Sequence, residues 1–69
     1  MLRLLTQSEA ARVLRLSERT LERMRVSGTG ARFVRCGRSI RYRLSDIERW
    51  IAARVVGSTS EPIKEIDSD

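Results

Sequence analysis

Residues 10–24, AARVLRLSERTLERM, decide how this chain is read. Apolar side chains recur at Ala10, Leu14, Leu16, Leu21 and Met24, and the pattern restarts behind Ser17, a residue suited to capping a new helix. A single amphipathic helix has no use for a Leu16-Ser17 step. Two short helices joined by a tight turn do, because they cross steeply and share one small core. Ala11 supplies a small residue where one helix passes close to the other. In such a unit the second helix is the usual element for entering a DNA major groove.

Working outward, Leu2 to Leu5 is a short apolar lead-in that suits an edge strand. Thr6 caps the first helix, with Glu9 completing a capping box, and that helix should run from Gln7 to Arg15. The second should run from Glu18 to Val26 and stop at Gly28. Ser27 to Gly30 is a connector. From Phe33 the period changes to 2: Val34, Cys36, Ile40 and Tyr42 alternate with Arg35, Arg41 and Arg43, interrupted at Gly37-Arg38-Ser39. This predicts a β-hairpin with one apolar face and one arginine face, on which Cys36 is a small buried hydrophobe. Ser45 should open a third helix with Glu48 as a second capping box. Ile47, Trp50, Ile51 and Val55 would form its buried stripe, and Gly57 would end it. There are no internal repeats. The expected fold is α+β, a small winged helix-turn-helix with a two-stranded β-hairpin wing and a C-terminal helix. Residues 1–57 form the domain; residues 58–69, polar, acidic and holding the only proline, form an expected flexible tail.

At 69 residues there is room for one small domain, and a chain this short buries only about 60% of its unfolded surface. Phe33, Tyr42 and Trp50 are therefore expected to carry much of the core, Tyr42 and Trp50 by packing rather than by stacking on bases. No apolar run approaches the ~18 residues of a membrane span, and Met1 to Leu5 is too short for a signal peptide. A cytoplasmic protein without a membrane partner is expected. One cysteine excludes an internal disulfide, and the absence of histidine removes the commonest metal ligand and general base. That excludes a zinc finger. No nucleophile, base and orienting group assemble, so neither enzyme chemistry, a cofactor nor a small-molecule substrate is expected.

The charge is uneven. Residues 1–56 hold thirteen arginines against Glu9, Glu18, Glu22, Asp46 and Glu48, whereas residues 57–69 hold Lys64 against Glu61, Glu65, Asp67 and Asp69. Arginine presents a planar fork matched to phosphate and guanine, where lysine offers a point charge. A basic body with an acidic tail points to a polyanion partner.

The runs LLTQSEAARVLRLSERTLERM (4–24) and FVRCGRSIRYRLSDIERWIAAR (33–54) resemble the small DNA-binding proteins of the excisionase and AlpA-type regulator group, themselves similar to the winged domain of MerR-type regulators. The opening Leu5-Thr6 with Glu9-Ala10-Ala11 carries the likeness, as do the Leu16-Ser17 turn before Arg19-Thr20-Leu21 and the ending Arg41-Tyr42-Arg43 with Ser45-Asp46-Ile47 and Trp50. Two features depart from it: Arg15 stands where the family turn carries a small residue, and Gly30-Ala31-Arg32 stands where proline is frequent. The resemblance implies an excisionase, a recombination directionality factor that binds beside integrase sites, bends DNA and favours excision of a phage or mobile element. Integrase and neighbouring copies of the chain on adjacent sites would be its partners. A small transcription regulator of the same fold is the alternative. MerR-type regulators continue into a dimerisation helix and an effector domain; this chain stops, so effector sensing is not expected.

On the second helix the outward positions are Glu18, Arg19, Glu22 and Arg23, with Arg19 and Arg23 one turn apart and suited to guanine O6/N7. An intrahelical Arg–Glu network is the bland alternative. Ser17 could offer its hydroxyl to a phosphate or serve only as a cap, and Thr20 is expected to pack between the helices. On the hairpin, Arg35, Arg41 and Arg43 are expected to share one face, with Arg38 at the tip and Arg32 nearby, lying along the backbone or minor groove. Neutralising about five phosphates would give log K against log[salt] a slope of roughly −4 to −5. A protein-binding adaptor or inhibitor whose acidic tail mimics DNA is a remoter reading. RNA binding is weaker still, for want of an aromatic platform.

Overall fold

The structure, a computed structural model, describes residues 3–58; the tail expected from Ser58 to Asp69 lies outside them beyond its first residue. The chain runs β1 (Leu4–Thr6), α1 (Gln7–Leu14), α2 (Glu18–Ser27), β2 (Val34–Cys36), β3 (Ser39–Arg43) and α3 (Leu44–Ala52). This is an α+β winged helix-turn-helix. Its sheet is antiparallel with three strands in the order β1-β3-β2; the edge strand is Leu4–Thr6, shifted from the expected Leu2 to Leu5, whose Leu2 lies outside the described residues, and it enlarges the expected two-stranded wing.

Local chemistry sets the helix ends. Thr6 Oγ1 accepts from the Glu9 amide at 3.1 Å while Glu9 accepts from the Thr6 amide at 2.9 Å, completing the capping box. That bond from the Thr6 backbone holds the Glu9 carboxyl below the ordinary glutamate value against desolvation, the next-largest influence, and the Thr6 hydroxyl and the charges of Arg3 and Arg12 lower it further. α1 closes one residue earlier than expected because Arg15 turns left-handed, at φ 58° and ψ 40°. This lets the Arg15 and Leu16 amides fold back onto Arg12 and Ala11 carbonyls at 3.2 and 3.0 Å. Ser17 then caps α2 by accepting from the Thr20 amide at 3.0 Å. Gly28, at φ 79°, ends it where a side chain would be strained.

The core is small: Leu5, Ala10, Ala11, Leu21, Met24, Ala31, Tyr42 and Ile47 are buried, ringed by Leu14, Leu16, Phe33, Ile40, Leu44 and Trp50. Ala10 and Ala11 leave room for Leu21, which is how the opening stretch builds a shared core from two short helices. Tyr42 is fully buried, as expected; Trp50 is only half-buried.

The hairpin corrects the sequence reading by one residue. Cys36 pairs with Ser39, Arg35 with Ile40 and Val34 with Arg41, leaving a two-residue turn, Gly37-Arg38, instead of a three-residue break. Gly37 has φ 63° and Arg38 does not have positive φ, the pattern of a II′ turn, which places Gly first. Directly opposed residues share a face, so a slip of one residue exchanges faces along a whole strand. Val34 and Cys36 therefore lie with Arg41, and Arg35 lies with Ile40 and Tyr42. Cys36 is exposed, not buried, and Arg35 does not share a face with Arg41 and Arg43.

The third helix also departs from expectation. It begins at Leu44 behind Arg43, with no side-chain cap, and Ser45 and Glu48 are exposed and form no capping box. β3 runs straight into it. The Leu44 amide is taken by the Arg3 carbonyl at 3.0 Å, and the Arg43 guanidinium grips the buried Asp46 carboxylate at 2.6 and 3.1 Å. Asp46 thereby occupies the first turn, where the helix dipole favours a negative charge. The helix ends at Ala52, before the expected Gly57; of the expected stripe Ile47 is buried, whereas Ile51 and Val55 are 40% and 75% exposed.

Candidate nucleic-acid interface

On α2, Thr20, Leu21 and Met24 face the core, which leaves Glu18, Arg19, Glu22 and Arg23 exposed. Arg19 and Arg23 lie about 40° apart around the helix at ~100° per residue. The glutamates lie to one side, and the structure gives them a partner that sequence spacing did not identify. Gln7, at the start of α1, donates to Glu18 at 3.0 Å and to Glu22 at 3.2 Å. Its carbonyl oxygen accepts from Arg25 at 2.8 Å, and the same Arg25 nitrogen donates to the Tyr42 hydroxyl at 2.9 Å. Arg25 also lies 5.7 Å from the Phe33 ring centre. The glutamates are thus held toward α1, and the arginines project from the remaining face.

Ser17 and Thr20 are tied into the cap: the Ser17 hydroxyl donates to Thr20 Oγ1 at 3.0 Å, and Thr20 is buried between the helices as expected. Val26 lacked any sequence signal, yet at 89% exposure it is the most exposed large apolar side chain among the described residues.

The wing arginines divide into distinct environments. Arg38 stands exposed in the turn, Arg35 is exposed on β2, and Arg32 is exposed in the loop before it. Arg41 is half-buried and donates to the neighbouring Ile40 carbonyl at 2.9 Å. Arg43 is engaged with Asp46, whose hydrogen bond, and then its charge, raise the guanidinium above its ordinary value. The expected single-sided row of Arg35, Arg41 and Arg43 does not form.

A third set of contacts relates the wing to α2. The Thr29 carbonyl, in the loop between α2 and β2, accepts from the Trp50 indole at 3.0 Å and from Arg54 at 3.0 Å. Arg54 packs over the Trp50 ring at 4.1 Å. The outer end of α3 therefore holds the loop that sets the hairpin against α2. Gly30 fits there because a β-carbon would come within 3.0 Å of the Met24 Cβ. Among the described residues no cluster of His, Cys, Asp or Glu could hold a metal ion, and no helix is long and apolar enough to cross a membrane.

Two short helices joined at a capped turn, an arginine-bearing hairpin and a third helix beneath it define the class: a winged helix-turn-helix, built to bind DNA. The chain belongs to the helix-turn-helix domain family, whose model matches residues 4–55. No curated protein matches the chain.

Proposed function

We propose that this chain binds double-stranded DNA with sequence preference, residues 1–57 acting as the binding domain. α2 enters the major groove, where Arg19 and Arg23 contact base edges; the hairpin follows the backbone and minor groove through Arg38, Arg35 and Arg32, with Arg41 in support. The observation that carries this reading is the segregation on α2: Gln7 holds Glu18 and Glu22 aside, so the outward face presents arginine. Glu18, Glu22, Ser17 and Thr20 then shape the helix more than they touch DNA, and Arg43 anchors α3.

Within that activity the role is that of an excisionase, assembling on adjacent sites and bending DNA to favour integrase-mediated excision in a phage or mobile element. The resemblance of residues 4–54 to excisionase and AlpA-type proteins supports this role, as does the density of arginine on a small wing. Footprinting on the DNA flanking its own gene, with a circular-permutation bend assay, tests it. Tandem half-sites beside an integrase site and a bent complex are expected. An inverted pair over a promoter, without bending, would instead identify a transcription regulator of the same fold, and no protection of any duplex at low salt would refute DNA binding itself.

A further inference from the structure

Arg19, Arg23 and Val26 form one stripe along α2. At ~100° per residue, Val26 falls about 20° to one side of Arg19 and Arg23 about 40° to the other. Val26 is therefore near the centre of the outward face. It is 89% exposed among the described residues, above Val55 at 75% and far more than Leu4, Val13, Ile51 or Val56. Its neighbours on that face, Glu22, Arg23 and Ser27, are exposed and polar or charged, so no apolar patch suited to a protein partner surrounds it. An isolated apolar group with Arg19 about 20° to one side, Arg23 beyond it, and Glu22 about 40° to the other side matches a particular feature of the major groove. Thymine carries the one methyl group displayed there, beside the acceptor edges that arginine reads.

We propose that Val26 is a specificity residue that packs on the C5-methyl of a thymine; this rests on α2 being the groove-reading helix, as proposed above. Arg23 and Val26 are about 4.5 Å apart along the helix axis, comparable with the ~3.4 Å rise of one base step. The thymine therefore lies within one or two steps of the base that Arg23 contacts.

The test uses the full chain and a duplex selected by it from a random pool of unmodified DNA. Each thymine of the selected duplex is replaced in turn by deoxyuridine, which removes the methyl and leaves base pairing intact. Affinity is measured for the wild type and for Val26→Ala, a substitution an exposed helix tolerates. Burial of one methyl corresponds to about a fourfold change in affinity. The expected result is one thymine whose replacement weakens wild-type binding about fourfold and leaves Val26→Ala binding unchanged. Equal wild-type binding to every substituted duplex overturns the inference while leaving the groove-reading helix standing. So does a methyl dependence that persists in Val26→Ala. Failure to select any duplex overturns both.

Discussion

Arg38→Ala isolates the wing's contribution, because Arg38 stands in the turn and its loss disturbs neither the core nor the strand pairing. Six exposed arginines lie on α2 and around the hairpin, Arg19, Arg23, Arg32, Arg35, Arg38 and Arg43, of which the first five are assigned to DNA. Each phosphate contact contributes about 0.9 to the salt slope, so five phosphate contacts give about −4.5 and three give about −2.7 if Arg19 and Arg23 sit on bases. Arg43 drops out of the count because Asp46 holds it. Removing Arg38 should lower the magnitude of the slope by about 0.9, so that the advantage of the wild type shrinks about 3.5-fold between 50 and 200 mM salt. Fluorescence anisotropy with a labelled selected duplex and a scrambled one, over that salt range, measures this. The loss should be equal on both duplexes. An unchanged slope would show that the wing tip does not touch phosphate, and a loss confined to the selected duplex would make Arg38 a base reader.

Arg19→Ala and Arg23→Ala should behave oppositely, narrowing the gap between selected and scrambled duplexes by about 1–3 kcal/mol each; equal losses on both would remove α2 from the base-reading role. Leu21→Ala, at a position 1% exposed between the two helices, should cost about 3 kcal/mol and lower Tm by roughly 12–24 °C in thermal unfolding. Arg15→Gly relieves a left-handed arginine at φ 58°, and relief of about 1–2 kcal/mol exceeds the extra chain entropy of glycine, so denaturant melts should show a gain of about 0.5–1 kcal/mol. The Glu9 carboxyl is lowered in the fold, so its stabilisation is present above the ordinary value of 4.5 and lost as pH falls through and below it. Tm of the wild type should accordingly fall more steeply with acid than that of Glu9→Gln, and parallel curves would refute the capping-box account.

The helix-turn-helix was legible because its signals are local. The Thr6–Glu9 box, the Ser17 cap, the Gly28 stop and the spacing of Ala10, Leu21 and Met24 each depend on residues within one or two turns. The hairpin was not fully legible because alternation fixes the face of each strand separately, whereas the turn fixes their relation. Gly37-Arg38 and Gly37-Arg38-Ser39 read equally well as breaks, and choosing wrongly moves Cys36 and Arg35 to opposite faces. The start of α3 was missed for a similar reason. Ser45 and Glu48 match a local capping pattern, but β3 continues directly into the helix through a ladder bond from Leu44 to Arg3, and Arg43–Asp46 takes over the first turn. Gln7 was missed because its partners lie eleven and fifteen residues away on another helix.

Arginine content overstates the electrostatic grip, because part of it is architecture. Three of the thirteen arginines join elements to one another: Arg25 links α2 to α1 and β3, Arg43 links β3 to α3, and Arg54 links the turn after α3 to the loop before β2. A core of eight buried apolar residues leaves a domain of this size with little stability in reserve, and a long side chain with five donors can span gaps that a short apolar one cannot. The two uses separate experimentally. Substituting Arg25 or Arg54 should lower stability and, while the protein remains folded, leave the salt slope nearly intact, because neither lies among the arginines assigned to DNA. Substituting Arg38 should do the reverse. Charge alone cannot distinguish these groups in the sequence; the carbonyl, carboxylate and ring partners that distinguish them are set by the fold.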